Sequence, residues 1–117
     1  MEKIKISSPT LLFRASADDV VYIKAEGNYC TMYMYNGKER TFLLQLGKFD
    51  ELFRQLSSNP FIRVGKSLIV NKDYINIINL TTREIILAGV GLRHAYEPLK
   101  ASHDALAELK SIIEKEN

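Results

Sequence analysis

The stretch FIRVGKSLIVNKDYI, residues 61–75, is apolar enough to be buried, yet it carries three cations, Arg63, Lys66 and Lys72. Its apolar and β-branched residues predict two strands, Phe61–Val64 and Ser67–Val70, separated by a bend at Gly65-Lys66. Such a bend leaves the Lys66 side chain at an exposed tip while the apolar side chains pack inward. A buried strand does not need basic residues, so the stretch raises the question of what its cations contact.

The chain before this stretch predicts a three-stranded antiparallel meander. Asp19–Ala25 is rich in β-branched and aromatic residues and leads to the turn signal Gly27-Asn28. Cys30–Tyr35 follows and ends at Asn36-Gly37, a strong hairpin signal because both residues tolerate positive φ. Lys38–Leu44 is the predicted returning strand.

Two helices are predicted from the spacing of apolar residues. Residues 46–56 place four apolar side chains on one helical face, namely Phe49, Leu52, Phe53 and Leu56. The tail from Ser102 has a capping residue followed by an apolar stripe made of Leu106, Leu109 and Ile113. Between the helices, residues 74–80 and 84–89 predict two further strands, and residues 91–99 predict a last extended segment. The fold class is therefore mainly β, with one internal helix and a C-terminal helix.

The composition is that of one globular domain covering residues 1–117. Apolar residues make up 46% and charged residues 26% of the chain, which are ordinary values for soluble proteins. The single cysteine, Cys30, excludes an internal disulfide framework and suits a reducing compartment. No apolar run reaches membrane-spanning length, and residues 1–10 lack the apolar core of a signal peptide. We therefore expect a cytoplasmic protein without membrane contact.

The net charge is only +2, but basic residues are concentrated in the second half of the chain. Between Pro60 and Lys100 there are six of them, Arg63, Lys66, Lys72, Arg83, Arg93 and Lys100. The same range holds three acidic residues, Asp73, Glu84 and Glu97. This local excess is compatible with a basic face that binds nucleic acid and equally with scattered solvated charge.

No catalytic or cofactor-binding pattern is present in the sequence. His94, His103 and Cys30 are far apart and lack the spacing of a zinc site or a Cys-His nucleophile pair. VGKS, residues 64–67, imitates the end of a P-loop, but Pro60 stands where that motif needs its first glycine. The sequence therefore predicts that the protein is not an enzyme and holds no metal or cofactor.

The order and spacing of several segments resemble the LytTR family, the DNA-binding output domain of many bacterial two-component regulators. The resemblance runs from about residue 8 to residue 109. It is carried by YIKAEGNY at residues 22–29, by the hairpin and helix that follow, and above all by FIRV, S, IVN and YI within residues 61–75. It implies elongated, mainly antiparallel β-sheets whose loops enter successive major grooves of duplex DNA.

The resemblance also implies which residues contact DNA. The first loop falls at residues 28–31, the second at Lys66 and the third near Lys100, while Arg63 and Lys72 are expected to hold the loops or to contact phosphates. The predicted DNA-binding residues are Asn28, Tyr29, Thr31, Arg63, Lys66, Ser67, Lys72 and Lys100. The chain departs from the family at Gly65-Lys66, where the family has His-Arg or a similar pair, and at Pro98-Leu99, where it often has serine followed by basic residues.

The predicted function is therefore sequence-specific binding of double-stranded DNA by a bacterial transcriptional regulator. The start of the chain runs directly into β-type sequence, which favours a free-standing regulator over an excised domain. A second copy on a repeated site and a signalling partner protein are the further partners that this interpretation admits. The alternative is a LytTR-like scaffold that has lost DNA binding and contacts another protein through exposed strand edges or the C-terminal helix.

Overall fold

A computed structural model describes residues 2–116, which form ten strands and two helices. The strands are β1 Lys3–Ser7, β2 Leu12–Ser16, β3 Val20–Glu26, β4 Tyr29–Met34, β5 Glu39–Phe42, β6 Phe61–Val64, β7 Leu68–Asn71, β8 Ile75–Asn79, β9 Glu84–Leu87 and β10 Leu99–Lys100. The helices are α1 Leu46–Arg54 and α2 His103–Glu114. The predicted class, mainly β with one internal and one C-terminal helix, is confirmed.

The strands form three antiparallel sheets. The central sheet has the order β5-β4-β3-β7-β6, and it is flanked by the β1-β2 hairpin and by a three-stranded sheet of order β10-β9-β8. The molecule measures 45 × 30 × 26 Å along its principal axes, so it is longer in one direction than in the others.

Strand β3 lies in the middle of the central sheet and is buried on both faces, so that Val20, Val21 and Ile23 have no exposed surface. A register shift between Val20 and Tyr22 lets the consecutive residues Val21 and Tyr22 face the same core, while Val20 and Ile23 face the other. An antiparallel strand with two covered faces reads as a continuous apolar run instead of an alternating one. This explains why VVYI is apolar throughout.

Each face of the central sheet has its own core. One, which we call the α1 core, lies between the sheet, the β1-β2 hairpin and α1, and includes Ile23, Met32, Phe42, Phe49 and Phe53. The other, the α2 core, lies between the sheet, α2 and the β8–β10 sheet, and includes Tyr22, Val70, Ile85, Leu106 and Leu109. The apolar helical faces predicted from the sequence are thus the faces that fill the two cores.

The β1-β2 hairpin was not predicted. Its strands have only five residues each, and β1 carries two lysines, so the sequence signal is weak. The hairpin forms because Ile4 and Ala15 face each other in register, and Ile4 is almost fully buried in the α1 core. Burial against the central sheet therefore supplies the stability that a short isolated hairpin lacks.

The predicted extended segment at residues 91–99 is wrong for most of its length, because β10 contains only Leu99 and Lys100. The residues before it pack irregularly over the α2 core. A Cβ placed on Gly89 would lie 3.2 Å from the Tyr74 ring, so close approach of the backbone to this ring replaces strand pairing. The segment is also tied to the end of β4, since the Tyr96 hydroxyl donates to the Met34 carbonyl at 2.6 Å.

A buried asparagine joins β7 to β3. The side-chain amide of Asn71 donates to the Val20 carbonyl at 2.9 Å, and its Oδ1 accepts from the Asp73 N–H at 3.0 Å. Asn71 is 1% exposed, so no water replaces these bonds without rearrangement. The residue is thus a turn former, as its sequence context suggested, and also a link between strands that are 51 positions apart.

We predict that Asn71→Ala lowers the free energy of unfolding by ~2–3 kcal/mol, because it leaves a buried carbonyl and a part-buried N–H without partners. Urea denaturation monitored by circular dichroism measures the change. The matched control is Asn79→Ala, since Asn79 caps an exposed turn by accepting from the N–H groups of Thr81 and Thr82. The control should lose at most about 1 kcal/mol. Equal losses in the two variants would contradict a special role for Asn71.

Candidate nucleic-acid interface

Two tight turns lie at the same end of the central sheet, which we call the loop end. They are the β3-β4 turn at Gly27-Asn28 and the β6-β7 turn at residues 65–67. Gly27 and Gly65 have φ values of 60° and 62°, so each turn uses glycine where other residues are strained. The turns are joined directly, because the Ala25 N–H donates to the Ser67 carbonyl at 2.8 Å.

The third predicted segment, around Lys100, meets the second turn at the loop end. A cleft of about 550 Å³ separates the β6-β7 turn from β10 and the start of α2. Its polar lining consists of Lys66, Ser67, Lys100, Ser102, Asp104 and Glu108. Two of the three predicted segments therefore share one cleft, in which two lysines are accompanied by two carboxylates.

Lys66 is the cation best presented for contact with a ligand. It is exposed at the tip of the β6-β7 turn, and among residues 2–116 no carboxylate lies within 4.0 Å of its ammonium group. Arg63 is also exposed, and its Nε donates to the Gly65 carbonyl at 3.4 Å. Arg63 thus holds the base of the turn, whereas Lys66 is free to extend from it.

Lys100 and Lys72 are both engaged in ion pairs. Lys100 Nζ lies 2.6 Å from Glu84 Oε2, its cross-strand neighbour on β9. Lys72 Nζ contacts both carboxylate oxygens of Glu116, at 3.0 and 3.1 Å. Lys72 follows β7, so it lies at the opposite end of that strand from Lys66. The structure therefore separates Lys72, for which a phosphate contact was predicted, from the loop end.

Only part of the predicted first loop is exposed. Asn28 and Tyr29 are exposed, and the Tyr29 side chain is 53% accessible. Thr31 is buried at 8% accessibility, and its hydroxyl is 3.0 Å from that of Thr41 on β5. Thr31 thus stabilises the pairing of β4 with β5, and the expectation that it faces a ligand is not met because it lies within the sheet.

Lys24 is a loop-end cation that the sequence reasoning missed. It sits on β3 opposite Leu68 and lines a smaller cavity, of about 240 Å³, together with Ser67 and Lys100. Its nearest carboxylate is Glu26, at 3.6 Å. Alternation along the strand places Lys24 on the same face of β3 as the buried Tyr22. This pattern could have identified Lys24 from the sequence.

Three tyrosines pack beside this cavity. The rings of Tyr22 and Tyr33 stack with centroids 4.3 Å apart, and Tyr96 meets both edge-on. Burial raises the pKa of Tyr96 to about 12, so its hydroxyl stays protonated at neutral pH and keeps donating to the Met34 carbonyl. The cluster fixes the chain shortly before Lys100 and so positions one side of the cavity.

The described residues offer no alternative reactive centre. Cys30, which lies in the predicted first loop, faces the α1 core with 1% exposure, and burial raises the pKa of its thiol. A thiol with a raised pKa is a poor nucleophile at neutral pH. Within residues 2–116, no three His, Cys, Asp or Glu side chains form a group able to hold a metal ion. No helix in that range is long and apolar enough to cross a membrane.

The Lys100–Glu84 ion pair can be tested by titrating the Glu84 carboxyl. The hydrogen bond from Lys100 holds the pKa of the Glu84 carboxyl below its usual 4.5, so the pair survives to a lower pH than a free carboxylate and breaks on protonation. Lys100→Gln should therefore raise the pKa of Glu84, as measured by carboxyl-carbon NMR. Lys110→Gln, which removes the partner of Glu114, is the control and should leave Glu84 unchanged. An unchanged pKa in Lys100→Gln would mean that the pair does not form in solution.

Comparison with known proteins agrees with this geometry. The sequence profile of the LytTr DNA-binding domain matches residues 11–114. An uncharacterized response regulatory protein of Vibrio cholerae is 27% identical over 81 residues, which cover 69% of this chain and 30% of that protein. The chain thus spans less than a third of this relative's length.

A solved structure has the same fold. It is the LytTr DNA-binding domain of a protein described as a methyl-accepting/DNA response regulator, from Bacillus cereus. The two chains superpose with a TM-score of 0.67 at 18% sequence identity, and the match covers 97% of each. The family profile spans nearly the whole chain, and the fold matches over the same length. The chain therefore belongs to the LytTR family of DNA-binding domains.

Proposed function

We propose that this domain recognises a specific sequence in double-stranded DNA and acts in transcriptional regulation, with the loop end as its contact surface. The observation that carries the proposal is the convergence of the β6-β7 turn and β10, which brings Lys66, Ser67 and Lys100 to one cleft. Asn28 and Tyr29 extend this surface from the neighbouring turn. Thr31 and Lys72 are left out of it, because one is buried and the other is paired at the far end of β7.

The cations of the loop end would have different roles in binding DNA. Lys66, exposed and unpaired within the described part of the chain, can reach a guanine edge or a phosphate. The ion pair with Glu84 holds the Lys100 side chain in place. The ammonium group of Lys100 suits a phosphate contact. Lys24 lines the smaller cavity together with Ser67 and Lys100 and adds positive charge to it. Lysine supplies a point charge and not the planar fork of arginine, so Lys66 provides less geometric discrimination than an arginine in its place.

The size of the molecule supports insertion into successive major grooves. These grooves repeat along one face of B-DNA about every 34 Å. The long axis of this domain is 45 Å, so a single copy is long enough to face two of them. A second copy on a repeated site would extend the contact further, and a signalling partner would control access to it.

A protein-binding role for the loop end is the second candidate. It is favoured by the acidic residues Asp104 and Glu108, which line the same cleft as Lys66 and would repel phosphates. The two candidates differ in their response to salt. Binding to DNA weakens steeply as salt rises, because each neutralised phosphate releases counterions, whereas binding to an uncharged protein surface does not.

Selection from random duplexes followed by sequencing tests the proposal. Wild type should enrich a recurring motif, and Lys66→Ala should bind that motif about tenfold more weakly or worse, because a specific base contact contributes ~1–3 kcal/mol. Lys48→Ala is the matched control, since Lys48 is an exposed lysine on α1, which packs on the other face of the central sheet. Absence of any enriched motif, or equal effects of the two substitutions, would contradict the proposal.

Salt dependence separates the two roles open to Lys66. If Lys66 contacts a phosphate, Lys66→Ala should reduce the slope of log affinity against log salt by about 1 and weaken all sequences alike. If it reads a base, the slope should change little and specificity should relax at one position of the motif. Fluorescence anisotropy with the selected duplex and a scrambled duplex, at several salt concentrations, makes the measurement. A loss of affinity with neither signature would indicate an indirect effect on the turn.

A further inference from the structure

A second basic surface lies at the opposite end of the central sheet from the loop end. There a groove of about 320 Å³, which we call the hairpin groove, runs between β2 and the β4-β5 hairpin. Its charged lining consists of four cations and one acid, namely Lys3, Arg14, Lys38, Arg40 and Asp19. Neither the family resemblance nor the loop-end contacts make use of this groove.

The four cations are exposed and, within the described range, have no carboxylate within 4.0 Å. Clustered like charges repel one another, so the folded domain gains no stability from this arrangement. Four free cations around one groove are therefore better explained by an anionic ligand than by folding.

The floor of the groove is apolar. Phe13, Ala15, Met34 and Tyr35 line it and are half-buried. The groove thus offers apolar contact between its cations.

Both walls of the groove are edge strands. β2 pairs with β1 alone, and β5 pairs with β4 alone, so each has one unpaired side. An extended segment can add to such an edge through backbone hydrogen bonds, while its alternate side chains enter pockets on one face. Charged residues on an edge strand, here Arg14 on β2 and Arg40 on β5, also discourage pairing between copies, which leaves the edge open to a partner of opposite charge.

These features favour a protein segment over DNA as the ligand. Strand β4 has six residues, so the groove lies ~20 Å from the loop end, at the other end of that strand. Phosphates, moreover, have no apolar groups to cover Phe13 and Met34. We propose that the hairpin groove binds an extended acidic segment of a partner protein, in which carboxylate and apolar side chains alternate.

Selection from a display library of random 12-residue peptides, with the full chain as bait, tests this proposal. Enriched peptides should alternate acidic and apolar residues. One of them, made synthetically and labelled, should bind Lys38→Glu/Arg40→Glu at least tenfold more weakly than wild type. The charge-matched control, Lys48→Glu/Lys110→Glu, and the loop-end variant Lys66→Ala should bind it as wild type does. Thermal denaturation establishes that each variant is folded.

Arg14→Gln tests the β2 side of the groove with a variant that should remain folded. It removes one exposed cation that has no carboxylate within 4.0 Å among the described residues, so the stability of the domain should not fall. The affinity for the selected peptide should nevertheless drop severalfold. No enriched peptide class, or peptides that bind Lys38→Glu/Arg40→Glu as tightly as wild type, would overturn the proposal.

A parallel measurement with the selected DNA duplex distinguishes nucleic acid as the ligand. Lys38→Glu/Arg40→Glu should retain most of the wild-type affinity for DNA, whereas Lys66→Ala should not. If the double variant loses DNA binding as severely as Lys66→Ala, the groove contacts the duplex and the protein-segment proposal is wrong. If no DNA motif is found but acidic peptides bind the groove, the DNA-binding proposal fails and this one stands.

Discussion

The pairing of β3 with β7 is the contact on which the rest of the structure depends. It joins the two hairpins of the central sheet, and the bond from Asn71 to the Val20 carbonyl anchors its register. A slip of one residue would exchange the two faces of β7 and move Val70 out of the α2 core. It would also separate Ser67 from the Ala25 N–H, and with it the two turns of the loop end. The recognition surface is thus a consequence of strand register.

Because β3 is buried on both faces, the turns of the loop end are supported from both sides of the sheet. Each face has a helix of its own, and the aromatic residues divide between the two cores. Stacked phenylalanines, Phe53 on Phe61, fill one core, while the tyrosines border the other and direct their hydroxyls to backbone carbonyls. Turns supported from both sides lose little freedom on binding, which favours affinity.

Local patterns in the sequence predicted the hairpins of the central sheet, both helices and the exposed tip at Lys66. Asn36-Gly37 and Gly27-Asn28 specify turns through backbone preference, and apolar spacing identifies the buried faces of α1 and α2, so neither signal needs distant contacts. The remainder depends on partners far away in the chain. Lys72 is paired with Glu116, Thr31 is buried beside Thr41, and β1 is held by a core built from later strands. No window of sequence around these residues contains that information.

Helix α2 and the residues after it contact the residues on either side of β7. The helix therefore connects the two ends of this strand. Near its first turn, a Cβ placed on Gly65 would lie 3.4 Å from that of Ala105, and after its last turn Glu116 holds Lys72. Twelve helical residues span ~18 Å, longer than the four residues of β7. Mechanically, a force that lifts the end of this helix therefore acts through it on the turn that carries Lys66. The turn that carries Lys66 and the end of the final helix are thus connected through one helix.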